Sequence, residues 1–410
     1  METQTLANPN VLNAHHAPAS QTARRIESVD VVRGIIMILM ALDHTRDFFG
    51  VRTDPTNLTT TTVALFFTRW ITHFCAPTFF LLTGLGSALS LAKGTTRELS
   101  RFLLTRGIWL IVLEVVVLRC LGFQFNFDYR VTALTVLWAL GWSMIVLSAL
   151  VHLPTKAVAA IGLALILGHN AFDAVQSANP LWIVLHQPGF LLRTQDHTVF
   201  VAYPLIPWIG VTAVGFALGR IYSWDAERRR GFLLRLGTAL ALAFVVLRAL
   251  NVYGDPVRWA QQPSASFTVL SFLNATKYPP SLLFLLMTLG VTLLGLRVFD
   301  GGGGGGGGGV SGVFRPALRF GKVPLFFFLL HLPLIHLLAV GLSLVRYGSA
   351  HWFFESPSLD RYPFTLPPGW GYSLPVVYGF WVLVLVLMYP LCSWFANVKA
   401  RHRAVWLRYL

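Results

Sequence analysis

Several ionisable residues stand inside stretches that are otherwise apolar, and their types and spacing suggest proton transfer and anion binding. In SVDVVRGIIMILMALDHTRDFF, Asp30 and Arg33 lie at one end, and Asp43, His44 and Asp47 at the other. A histidine whose aspartate neighbours fix its tautomer, with a side-chain pKa near neutrality, suits general base work. On an ideal helix Arg33 and His44, 11 residues apart, fall within about 20° of one another and about 16 Å apart along the axis. A basic group and a titratable one would then share a stripe and serve a substrate that reaches across a membrane. Asp30 and Arg33 equally fit a mutual i,i+3 pair that anchors the helix end.

Other segments add members. RWITHFCAPTFFLLTGLGSAL carries His73 just before Cys75 and Pro77. Pro77 should kink the helix and free a backbone carbonyl, and Gly84 and Gly86 should permit close helix approach. His73 is either a functional group or a helix-packing histidine. Glu114 stands among Val and Leu, as a proton site or as the partner of Arg119. GKVPLFFFLLHLPLIHLLA places His331 in a cavity and His336 in a structural position. Five residues apart, they point about 140° apart on an ideal helix, too far to share one metal ion. FLNATKYPPSLLF sets Asn274, Lys277 and Tyr278 before a double proline; Lys277 either holds an anionic or carbonyl group or snorkels at the interface.

The elements that must position these residues follow from composition. Of 410 residues 55% are hydrophobic and 12% charged, and the mean hydropathy is +0.63. A soluble domain carries about 25% charged residues, and a disordered chain shows the opposite balance. Runs long enough to cross a bilayer occur about ten times, roughly at 28–48, 64–92, 102–120, 131–150, 155–172, 204–222, 231–252, 279–298, 321–345 and 374–396. The expected fold is therefore an all-α, polytopic integral membrane helix bundle. Placing both termini in the cytoplasm puts most of the 32 Lys and Arg on one side, as the positive-inside rule asks. The net charge of +15 then reports topology and calls for no nucleic acid.

Residues 1–27 read as a disordered cytoplasmic tail, and 28–410 as one transmembrane domain. Within that domain 300–312, with nine consecutive glycines, form a flexible cytoplasmic linker. The first span is interrupted by charge and follows a polar tail, so it is no cleavable signal peptide. Cys75, Cys120 and Cys392 are widely spaced; neither a disulfide framework nor a metal site is expected. Three long connections, about 173–203, 253–278 and 346–372, are rich in Trp, Tyr, Phe and Pro. They should pack as an outer cap, as an aromatic belt or as a surface that stacks on a sugar.

Together RIESVDVVRGIIMILMALDHTRDFF, THFCAPTFFLLTGLGSA, YPLIPWIGVTAVGFALGRI, FLNATKYPPSLLFLLMTLG, GKVPLFFFLLHLPLIHLLA and YPLCSWFANVKARHRAVWLRYL resemble the bacterial branch of the heparan-alpha-glucosaminide N-acetyltransferase catalytic-domain family. The resemblance runs from Arg25 to Leu410. It implies a polytopic enzyme that takes an acetyl group from cytoplasmic acetyl-CoA and delivers it to an amino sugar across the membrane. Counting from Arg33-Gly34, His44 falls where the lysosomal enzyme has a catalytic Asn, and His73 falls where it has an Asp. That enzyme's catalytic His lies in its first lumenal loop; the corresponding VRTDPTNLTTTTV has none. Either His44 or His73 then serves as base, or the chemistry differs.

The leading expectation is an acyltransferase of the plasma membrane that modifies a cell-envelope or exported glycan. Arg33, Asp30, Lys93, Arg97 and Arg101 would form the acyl-CoA site. His44, with Asp43 or Asp47, would be the base, and His73 or Lys277 would stabilise the oxyanion; an acetyl-histidine route stays open. Asn274, Tyr278, His331 and Glu114 would complete the acceptor site. Membrane lipid, acyl-CoA, a glycan or small-molecule acceptor and a second copy of the chain are the expected partners. The alternative is a transporter or flippase for a small anion or lipid-linked sugar, although no internal repeat of the kind common in transporters is visible.

Overall fold

The structure, a computed structural model, describes residues 26–92, 94–300, 312–355, 358–402 and 404–410. The tail up to residue 25, Lys93 and most of the glycine linker therefore lie outside the described residues. The helices are α1 (Glu27–Phe49), α2 (Val63–Trp70), α3 (Cys75–Leu91), α4 (Thr96–Val112), α5 (Val136–Leu150), α6 (Thr155–Gly168), α7 (Pro180–Leu185), α8 (Leu205–Leu218), α9 (Ala226–Leu250), α10 (Ala265–Leu273), α11 (Leu282–Phe299), α12 (Arg315–Lys322), α13 (Pro324–Tyr347) and α14 (Leu374–Arg401).

Among the described residues seven helical segments are long and apolar enough to cross a membrane: Val63–Leu91, Thr155–Phe172, Leu205–Ser223, Ala226–Leu250, Leu282–Phe299, Pro324–Tyr347 and Leu374–Arg401. Three of the expected spans fall short of that measure. α1 carries Asp30, Arg33, Asp43, Arg46 and Asp47, α4 runs into a π-helical stretch, Leu113–Phe123, that holds Glu114 and Arg119, and α5 has 15 residues.

The segment 131–150 is not one helix. Val131–Leu134 is a strand, β1, which pairs in parallel with β3 (Thr198–Val201), and β3 pairs antiparallel with β2 (Gly189–Arg193). The start of 321–345 also differs. Gly321 belongs to α12, and Val323 breaks the chain before α13.

α1 is surrounded by α3, α11, α12, α13 and α14, which explains how a charged helix sits at the centre of an apolar bundle. Two glycines let it approach α12. A Cβ on Gly34 would lie 1.7 Å from the Ala317 carbonyl oxygen, and one on Gly321 would lie 1.7 Å from the Asp30 carbonyl oxygen. Of the two glycines expected to admit a neighbour in α3, Gly84 does so against Thr212 of α8, whereas Gly86 faces open space.

α2 and α3 are separated by a 3-10 turn, Ile71–Phe74. Pro77 has no N–H for the carbonyl four residues earlier, that of His73, so the α-helical ladder cannot run through this point. The kink expected from Pro77 therefore falls on the turn that carries His73. Of the long connections, 346–372 folds over the end of α1. Tyr372 N–H donates to the Phe49 carbonyl at 2.8 Å, and Trp370 Nε1 donates to the Phe48 carbonyl at 2.8 Å with Phe353 and Phe364 fully buried beneath.

Candidate functional site

The last turns of α1, the α2–α3 turn and the 274–278 loop converge on one cavity of about 640 Å³. Asp43, His44, Asp47, His73, Asn274, Lys277 and Tyr278 all line it, together with Arg46, Arg69, Cys75, Tyr203 and Tyr362. The exposed Asp54 on its wall brings it to the surface.

The two aspartates flanking His44 are arranged differently. Asp43 bridges Arg46 at 2.9 Å and Arg69 at 2.5 Å, with all three side chains largely buried. Arg46 also holds Asp47 at 2.6 Å. Asp47 Oδ2 is in turn 3.8 Å from His44 Nδ1, beyond hydrogen-bond length. Asp47 is thus the carboxylate that faces His44, and Asp43 is committed to the arginines.

His331 of α13 does not line the cavity; it packs behind His44, with ring centroids 5.3 Å apart. It is fully buried, and its Nδ1 lies 2.7 Å from the Phe328 carbonyl. A carbonyl only accepts, so Nδ1 carries the proton and the buried, unpartnered Nε2 keeps its lone pair. His336, on the same helix, contacts the Gly122 and Phe353 carbonyls at 3.0 and 2.8 Å and stacks on Phe125, the structural position expected of it.

His73 is buried against Phe284, with its Nδ1 unpartnered beside the cavity. Lys277 lies over the Tyr278 ring at 5.2 Å, and among the described residues no carboxylate pairs with it. Tyr278 and Tyr203 meet edge to face. Burial pushes the Tyr203 hydroxyl well above its usual range. At Tyr278 burial also acts upward, but Lys277 and Arg69 outweigh it and hold the hydroxyl below its usual value. Asn274 Nδ2 donates to the Thr56 carbonyl at 3.0 Å, tying two walls together.

Glu114 stands apart from the cavity. Its carboxylate accepts from the Thr135 and Leu137 N–H groups at 3.1 and 3.0 Å and from the Thr135 hydroxyl, which caps the start of α5. Arg119, offered as its partner, instead binds Asp128 at 2.9 Å and Asn126 at 2.6 Å.

At the other end of α1 a smaller cavity of about 100 Å³ is lined by Arg33, Arg106, Thr83 and apolar side chains. Arg33 Nη1 donates to Asp30 at 3.1 Å and to the Gly321 carbonyl at 3.4 Å, the i,i+3 pair that the spacing allowed. Asp30 does not line this cavity, and Arg97 and Arg101 are exposed on earlier turns of α4. Phe79, Val136 and Phe328 line both cavities. These three apolar side chains stand between the cavity that holds Arg33 and Arg106 and the one that holds His44 and His73.

The matches to known proteins bear on this arrangement. Residues 25–254 match the family described as heparan-alpha-glucosaminide N-acetyltransferase, catalytic, more than half of the chain. The chain belongs to this family. It is an integral membrane protein of the acetyltransferase type. The match takes in Arg33, Asp43, His44, Asp47, Arg69, His73 and Arg106, and it ends at Gly254, before Asn274, Lys277, Tyr278 and His331. No curated protein matches the chain.

Arg69 and Arg106 are site residues that sequence reasoning does not single out. Arg69 stands four residues before His73, and Arg106 interrupts the apolar run that begins at Phe102. Those two spacings were the available signal.

Proposed function

We propose that the protein transfers an acetyl group from acetyl-CoA, held on the cytoplasmic side, to a sugar or glycan acceptor at the opposite face. The observation that supports this reading is the pair of neighbouring cavities that share Phe79, Val136 and Phe328 in their walls. One is basic and narrow. The other is wider, carries His44, His73 and Lys277 on its walls and reaches the surface.

In this reading ten helices cross the membrane and both termini are cytoplasmic. Arg33 and Arg106 draw the donor's phosphates to the mouth of the small chamber, with Lys93, Arg97 and Arg101 supplying charge along the approach. The pantetheine arm lies past Phe79, Val136 and Phe328. The thioester then meets His44, about 16 Å from Arg33 along the continuous helix α1.

His44 takes the proton from the acceptor hydroxyl or amine while that atom attacks the thioester carbonyl, and Asp47 steadies the imidazolium that forms. Lys277 and the Tyr278 hydroxyl face the developing oxyanion. Collapse of the tetrahedral intermediate expels the CoA thiolate, which takes back the proton from His44. His73 and Asn274 hold the acceptor in this arrangement, and His331 supports the ring of His44 from behind.

Purified protein in proteoliposomes, given labelled acetyl-CoA on one side and a panel of amino sugars and lipid-linked glycans on the other, tests the reading. Wild type should transfer label, and His44→Ala should reduce turnover by about 10² to 10⁴-fold, the usual contribution of a positioned base. Undiminished turnover in His44→Ala removes His44 from the mechanism. Counterflow of a labelled solute without acetyl-CoA would instead identify a transporter.

A further inference from the structure

Away from both chambers, the end of α6 and the connection that follows bring two histidines and an aspartate together. His169 lies in the 3-10 turn His169–Phe172 that ends the sixth helix, Asp173 follows that turn, and His186 follows α7. A ligand atom from each of the three lies within 4.8 Å of the others. None of them lines the acceptor cavity or the basic one.

We propose that His169, Asp173 and His186 bind one divalent transition ion, with Zn²⁺ the best fit, and that this ion pins the outer connection to the end of α6. The sequence expectation of no metal site rested on cysteine and histidine spacing, and this trio is assembled across 17 residues by a turn and a short helix.

Four observations support the site. His169 is 3% exposed, and neither of its ring nitrogens has a partner. A buried polar atom of that kind needs a ligand. His186 is 2% exposed and held in place by the Trp182 ring, stacked at 4.6 Å and 12°. Asp173 is oriented too: its Oδ2 accepts from Asn170 Nδ2 at 2.8 Å, and its Oδ1 is turned to His186 Nε2 at 3.9 Å. The Asn170 side-chain oxygen in turn accepts from Leu282 N–H at the start of α11 at 2.8 Å. Oriented ligands held by further hydrogen bonds are the usual setting of a metal.

The chemistry of the donors selects the ion. Two imidazoles and one carboxylate suit zinc and its neighbours, whereas magnesium and calcium prefer all-oxygen sets. Nitrogen and oxygen ligands lie about 2.1 Å from zinc. Around a tetrahedral ion such ligand atoms stand about 3.4 Å apart, so pairs now up to 4.8 Å apart close by up to about 1.4 Å when the ion binds. His186 Nε2 is also 2.7 Å from the His169 carbonyl oxygen. In this structure Nε2 therefore donates to that carbonyl, and coordinating an ion through Nε2 takes the Nδ1–H tautomer and replaces this hydrogen bond with the metal bond. Because Ala202 and Tyr203, at the far end of the same connection, line the acceptor cavity, the ion would steady one wall of that cavity without touching the reacting atoms.

The full chain, purified in detergent without a polyhistidine tag, is stripped with chelator and dialysed against Zn²⁺. Elemental analysis should find about one zinc per chain, and unfolding should shift to higher temperature with Zn²⁺ and back with chelator. His169→Gln, His186→Gln and Asp173→Asn should each weaken zinc binding by at least about tenfold to a hundredfold, the range for losing only an outer hydrogen-bond partner of a metal ligand. Zinc content unchanged in all three variants overturns the site. If the variants fail to fold, wild type decides alone: no retained zinc and no metal-dependent shift in unfolding temperature also overturn it. Neither readout depends on acetyl transfer, so this result is separable from that of the acyltransferase assay.

Discussion

At the scale of single residues, the first helix compresses two different jobs into five positions. Asp43 is consumed by Arg46 and Arg69, whereas Asp47 faces His44. Spacing alone allowed either aspartate to serve the histidine, because both lie within one turn of it. The choice was made by Arg69, which comes from another helix. Asp43→Asn should therefore act on stability before chemistry. Removing one partner of a buried ionic network costs about 3–5 kcal/mol, so the unfolding temperature should fall clearly. Combining it with Arg69→Gln should recover part of the loss in a double-mutant cycle. Full additivity of the two would mean that the pair does not interact.

At the scale of elements, the close crossing of α1 and α12 sets Arg33 against the Gly321 carbonyl. Gly34 sits one residue after Arg33, and its missing side chain is what admits the Ala317 backbone. Gly34→Val places carbon atoms where a carbonyl oxygen already lies, so α12 must move away. The expected outcome is loss of the monodisperse, folded protein on gel filtration in detergent, or a sharply lowered unfolding temperature. A well-folded variant of unchanged stability would contradict the crossing. The α2–α3 break belongs to the same scale. Its cause, Pro77, was visible in the sequence, but the residue it exposes, His73, was placed at a cavity wall only by the packing of α11 through Phe284.

For the whole molecule, the two cavities and the side chains they share make a prediction that no single residue carries. Phe79, Val136 and Phe328 come from three helices, and filling the gap between them should separate binding from transfer. Val136→Trp should leave binding of the donor's nucleotide phosphates near wild type while cutting acetyl transfer at least about tenfold. Equilibrium binding of adenosine 3′,5′-bisphosphate, which keeps phosphates of the donor but lacks the pantetheine arm, measured beside turnover, checks this. Equal loss of both, or of neither, would argue against a path between the cavities.

The helices were legible because 20-residue apolar runs have few other uses, and the family resemblance was legible because its motifs lie on those runs. The strands β1 to β3 were not, since four- and five-residue segments beside apolar helices carry no distinct periodicity. Glu114 was legible as an anomaly but not as a helix cap, because its partners, Thr135 and Leu137, are more than 20 residues away.

The sequence by itself determined the membrane setting, the helical segments, the family, and which few polar side chains cannot be facing lipid. All of these depend on local composition and on period along one helix. The tertiary structure alone decided which aspartate faces His44, that His331 stands behind it, that Arg69 and Arg106 line the two cavities, and that His169, Asp173 and His186 meet. Those outcomes depend on how helices cross, and crossings are set by close contacts such as Gly34 against Ala317, which no window along the chain contains.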